Sequence, residues 1–110
     1  MILEEMEAIC KNLGKITVDI KWGHDLCFCI AGKMFLVTNP DSIPVSASFK
    51  TDEETFNELT ERVGFMPAPY LARHKWVYVN DINRLSKKEW QLIICKSYEL
   101  VKAKLPIKKR

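Results

Sequence analysis

Histidine and glycine are scarce in this chain, with two and four copies among 110 residues. No G-x-G-x-x-G, P-loop or G-x-S-x-G run is present, and so few glycines make a loop that cradles phosphate through backbone amides hard to build. The four cysteines, Cys10, Cys27, Cys29 and Cys95, contain no C-x-x-C pair, and no two-histidine helix motif occurs. Zinc spacing is therefore missing. No apolar run approaches the roughly 20 residues needed to span a bilayer. The segment Met1 to Glu7 lacks the basic start and apolar stretch of a secretory leader. Together these absences predict a cytoplasmic protein, with no membrane association and with its cysteines kept as thiols packed in or near the core.

What is present is ordinary globular material: 47% hydrophobic and 28% charged residues, enough for one core at this length. Leu3, Met6, Ile9, Cys10 and Leu13 recur at helical spacing before Gly14. Ile16, Val18, Ile20 and Trp22 alternate with polar residues, predicting a half-buried strand. Leu26 to Ala31 is almost wholly apolar, as in a strand covered on both faces. Ala31-Gly32-Lys33 reads as a hairpin turn into Met34–Thr38. Ile43 to Phe49 alternates again, and Pro44 favours an edge position for that fourth strand. Thr51 and Glu54 have capping-box spacing for a helix running to about Val63. A Pro-stiffened stretch then leads to a fifth strand at Trp76–Val79. Ser86 and Glu89 form a second capping box, with Leu85 and Trp90 as its staple, opening a helix to about Lys104. Helices and antiparallel hairpins in this order predict a two-layer α+β domain of about five strands, with helices on one face. The domain spans 1–106, with 107–110 as a basic C-terminal tail.

Candidate chemistry is thin. His24, Asp25, Cys27 and Cys29 are close in sequence without metal-ligand spacing. Cys27 or Cys29 with His74 is the one nucleophile–base combination worth naming. Asp52, Glu53, Glu54, Glu58 and Glu61 lie on or beside one helix, where acids near the N-terminus complement the dipole. A frataxin-like use of such a helix for iron is conceivable, but no metal site, catalytic residue or cofactor is expected. Charge is more informative. Residues 1–61 hold five Lys/Arg against eleven Asp/Glu, a balance of −6; residues 62–110 hold twelve against three, a balance of +9. Arg73 and Lys75 precede the aromatic residues Trp76 and Tyr78, and Arg84, Lys87 and Lys88 flank the start of the last helix. Cations so placed can grip phosphates. Lys102, Lys108, Lys109 and Arg110 also read as a solvated helix end. On the last helix Trp90, Ile94, Ser97, Val101 and Leu105 form the buried face, while Leu92 and Cys95 lie nearly opposite. That apolar pair suggests a protein partner or a weak dimer contact.

Lys21-Trp22-Gly23-His24, Gly32-Lys33-Met34-Phe35, Pro67-Ala68-Pro69-Tyr70-Leu71-Ala72-Arg73, Trp76-Val77 and Ser97–Pro106 together resemble the MmcQ/YjbR family over nearly the whole chain. The resemblance implies a small bacterial α+β protein with a fold comparable to CyaY, the bacterial frataxin. It also implies DNA binding, proposed for the family through a double-wing arrangement, and it supplies no catalytic residues. The motif positions able to meet an anion are Lys33, Arg73 and Lys104. Trp22, Tyr70, Trp76 and Tyr98 read first as packing residues. The expectation is a non-enzymatic DNA-binding domain making non-specific phosphate contacts, with a protein-interaction or chaperone-like module as the alternative. Its test is whether the fold gathers the +9 balance onto one face.

Overall fold

A computed structural model describes residues 3–69 and 71–109. Helix α1 (Leu3–Lys11) precedes four strands, β1 (Thr17–Lys21), β2 (Asp25–Ile30), β3 (Lys33–Asn39) and β4 (Ser46–Lys50). Helix α2 (Glu53–Leu59), strands β5 (Phe65–Pro67) and β6 (Trp76–Val79), and the long helix α3 (Lys87–Ala103) follow. All strand pairings are antiparallel, in the order β1-β2-β3-β4-β6-β5. The two-layer α+β architecture matches the sequence expectation, with six strands in place of about five.

Strand alternation puts one set of side chains beneath the helices. Phe28, Leu36, Phe49 and Val77 stand opposite one another across four strands, and all are fully buried. Trp90 of α3 meets Phe49 edge-on at 5.5 Å, and Tyr98 meets Phe35 at 5.4 Å. Such pairs add about 0.5–1.5 kcal/mol beyond area burial. Phe35 reaches Tyr98 because β3 carries one extra residue where its register with Phe28 and Cys29 shifts, a bulge that re-aims a side chain. Ser97, buried mid-helix, ties the layers together: its hydroxyl donates to the Phe35 carbonyl and accepts the Lys50 amide at 3.0 Å. Ser86 and Glu89 form the expected capping box, and Trp90 Nε1 donates to the Ile82 carbonyl at 2.7 Å.

Several local expectations are corrected. β4 is interior, between β3 and β6, because Pro44 lies outside the strand and costs it no ladder bond. β5 arises inside the Pro-rich stretch, where three residues are too few for alternation to be visible; Pro67 ends it at the sheet's edge. Asp52 caps α2, accepting the Thr55 amide at 2.8 Å, while the Thr51 hydroxyl donates to the Lys75 carbonyl at 2.7 Å. α2 stops at Leu59, short of Val63. β1 is an edge strand whose apolar side is largely exposed, not half-buried. Trp22 is 66% exposed and Cys95 is exposed, so neither is core. Cys10, Cys27, Cys29, Trp76 and Tyr98 are buried as expected, and Tyr70 lies outside the described residues.

Candidate functional site

The sheet has two ends. At one, the Ala31-Gly32 turn joins β2 to β3, β1 begins, β4 finishes, β6 begins and α3 finishes. Ala31 and Gly32 take φ of 49° and 80°, the positive values a type I′ hairpin turn demands. Gly14 is required nearby: a Cβ there would sit 3.0 Å from the Tyr98 hydroxyl. The chain thus passes close over Tyr98 and delivers Lys15 to the same place. Beyond α3, Pro106 opens a 3₁₀ turn, Ile107–Lys109, which folds the terminal basic segment back.

These segments enclose a groove of about 740 Å³, lined by Leu13–Thr17, Ile30, Ala31, Tyr98, Lys102 and Lys109. Three of its lining residues are lysines and none is acidic. Lys102 Nζ lies 5.7 Å from the Tyr98 ring centroid, a cation–π contact that orients the ammonium group. At the same end of the sheet, but lining the cleft between α2 and α3, Lys50 Nζ donates to the His74 carbonyl at 2.8 Å. Burial pushes the Lys50 ammonium below its ordinary pKa, and the like charge of Lys104 pushes it further. Arg73 and His74 form the adjoining 3₁₀ turn (Ala72–His74), and Lys75 Nζ sits 5.1 Å from the Phe56 ring. Among the described residues, Lys15, Lys33, Arg73, Lys102, Lys104, Lys108 and Lys109 make no ion pair. The acids on this side include Glu99, exposed near the end of α3, and those at the start of α2, where Asp52 serves as its cap and lies 3.9 Å from Lys96.

The residues singled out from sequence are therefore divided. Lys33, Arg73, Lys75 and Lys104 come together at this end. Arg84, Lys87 and Lys88 stand at the opposite end, about 25 Å away along α3. There Lys87 is 3.5 Å from Glu5, and Arg84 Nε donates to Asn80 Oδ1 at 2.7 Å. The +9 balance is not gathered whole, because α3 carries it to both ends. Instead the basic end recruits Lys15, Lys33 and Lys50 from the acidic half. Sequence reading missed Lys15 and Lys50 and assigned Lys102 and Lys109 to a solvated helix end; the available signals were Gly14 before Lys15 and Pro106 after the helix.

The other constellations do not assemble. Cys27 and Cys29 are fully buried, and burial raises both thiols, Cys27 to about 11. His74 lies beyond the start of β6, three strands from β2. His24 Nδ1 pairs with Asp25 Oδ1 at 2.7 Å in an exposed turn. Among the described residues no group of three His, Cys, Asp or Glu could hold a metal, and no helix is long and apolar enough to cross a membrane. A second cleft of about 420 Å³, between α2 and α3, has Leu59, Leu92 and Ile93 among its lining. On its rim Arg62 pairs with Glu58 and Glu89 and Lys96 with Asp52, while Lys50 bonds the His74 carbonyl.

Residues 11–100 match the family model described as YjbR. Among solved structures, Deinococcus radiodurans protein DR2400, a DUF419 domain, superposes with a TM-score of 0.85 at 21% identity. The alignment covers 98% of this chain and 84% of that one, a likeness of fold. No curated protein matches.

Proposed function

The chain belongs to the YjbR family, and from that premise we propose that it is a non-enzymatic DNA-binding domain gripping the phosphate backbone with its basic end. The observation that carries this reading is the acid-free groove holding Lys15, Lys102 and Lys109, with Lys33, Lys104 and Arg73 at the same end of the sheet outside its lining. Uncompensated cations held by a rigid turn, a helix end and a 3₁₀ turn are preorganised for an anion larger than a single ion. Trp76 and Tyr98 are buried, so neither offers a base-stacking platform. The grip is electrostatic and independent of sequence, as phosphate contacts are. The same reading makes it a cytoplasmic protein of a bacterial cell, where DNA is within reach.

Titration of fluorescent duplex DNA at two salt concentrations tests it. With about four to six phosphates neutralised, log K falls against log salt with a slope of about −4 to −5. Absence of binding at micromolar protein, or binding indifferent to salt, rejects the reading. A protein-interaction module is the second reading, favoured by Leu92, 65% exposed at the α2–α3 cleft, with Cys95 exposed on the same helix. It predicts partners that survive nuclease treatment of the lysate.

A further inference from the structure

The two edges of the sheet are finished differently. β5 is three residues long and ends in Pro67, which blunts it against further pairing. β1 has five residues, no proline and no glycine, and among the described residues its outer hydrogen-bonding side meets no strand. Val18 and Ile20 share the helix-side face with their partners Phe28 and Leu26, yet they lie beyond the helices' cover, 38% and 70% exposed. Trp22 follows in the turn at 66%. Asp19 and Lys21 take the opposite face, and neither is ion-paired within the described chain.

Within β1 the order Asp19-Ile20-Lys21 is self-complementary when read backwards about Ile20. An antiparallel pair with a twofold axis at Ile20 sets Asp19 opposite the second copy's Lys21, twice. It sets Ile20 against itself and brings Val18 towards the second copy's Trp22, which stands past the strand in the turn with φ of 53°. Moving the axis to Asp19 would oppose two carboxylates and lose both ion pairs. Directly opposed apolar and opposite-charge pairs are what stabilise antiparallel strands, and an interface about a twofold closes on two copies. We infer that β1 is a homodimerisation edge, joining two sheets into one of twelve strands in the register centred on Ile20. Only Asp19, Ile20 and Lys21 of each strand pair in this register, a contact small beside standard interfaces, so its dissociation constant falls at roughly micromolar or weaker.

Sedimentation velocity over a range from about 5 to 500 µM reads the equilibrium. The unaltered chain should shift from monomer to dimer and no further. I20K, at an exposed position, should leave monomer throughout. K21D, which sets a carboxylate opposite Asp19, should weaken association at least about tenfold, and the exchanged pair D19K/K21D should recover it to within about threefold. Circular dichroism of each variant confirms that the strand content is retained. Monomer at every concentration, a dimer that survives I20K, or a K21D effect that the exchange does not rescue overturns the inference.

Discussion

At the end of the sheet where α3 begins, Lys87 faces Glu5 and Arg62 bridges Glu58 and Glu89, while Arg84 bonds the neutral Asn80 and Lys88 makes no ion pair among the described residues. At the end where α3 finishes, Lys15, Lys33, Arg73, Lys102, Lys104, Lys108 and Lys109 form no ion pair among the described residues. Both sets belong to one domain and one helix connects them. A matched cation contributes a little to stability and leaves no net field. An unmatched group of cations costs some self-repulsion and projects a field that favours an anion. The dipole at the end of α3 suits cations only within its last turn, so it accounts for Lys102 and Lys104 and not for Lys15, Lys33 or Arg73. The comparison teaches that the two ends differ in how many unpaired cations they gather, two at the start of α3 and seven at its finish among the described residues.

The sharpest way to break this contrast is to neutralise each end separately. K15Q/K102Q/K109Q should lower duplex affinity by roughly a hundredfold at low salt and flatten the salt slope by about 3. R84Q/K87Q/K88Q should change affinity by less than about twofold. Fluorescence anisotropy measures both, and equal losses would erase the distinction. Next in size is Ser97→Ala, which leaves the Lys50 amide without its acceptor and removes the donor to Phe35. It should cost about 2 kcal/mol by urea unfolding and loosen the basic end in particular. Ser86→Ala, at the start of α3, should cost about 1 kcal/mol and leave nucleic-acid affinity unchanged.

The smallest effect is one of pH. Burial raises Cys10 from its ordinary 9.0 to about 12. The folded chain then keeps a proton that the unfolded chain releases, so this thiol's contribution falls as pH rises from 9 towards 12. At pH 10 the loss from Cys10 is on the order of 1 kcal/mol. Urea midpoints at pH 8 and 10 should converge partly in Cys10→Ala, whatever that variant's own stability.

Legibility differed between fold and site for identifiable reasons. The buried faces of α1 and α3, the Ser86–Glu89 cap and the Ala31-Gly32 turn depend on residues within one or two turns of each other, and these were readable. β4's place inside the sheet was not, since Pro44 suggested an edge and only the pairing with β6 shows where the strand begins. Nor was the choice of Asp52 over Thr51 as cap, because Thr51 is claimed by Lys75, 24 residues away. The candidate groove was the least legible part. Its lysines come from three separate segments, and each alone looks like a solvated surface charge.

The sequence by itself determined the α+β class, the antiparallel hairpins, the buried stripe of the last helix and an excess of cations in the second half. Those follow from periodicity and local capping, which act over a few residues. Only the tertiary structure decided which cations would be matched and which left free. α3 carries the basic half to both ends of the sheet, while the β2–β3 turn and the segment before β1 bring lysines from the acidic half to one of them. Charge compensation depends on distances between elements remote in sequence, and no local pattern encodes it.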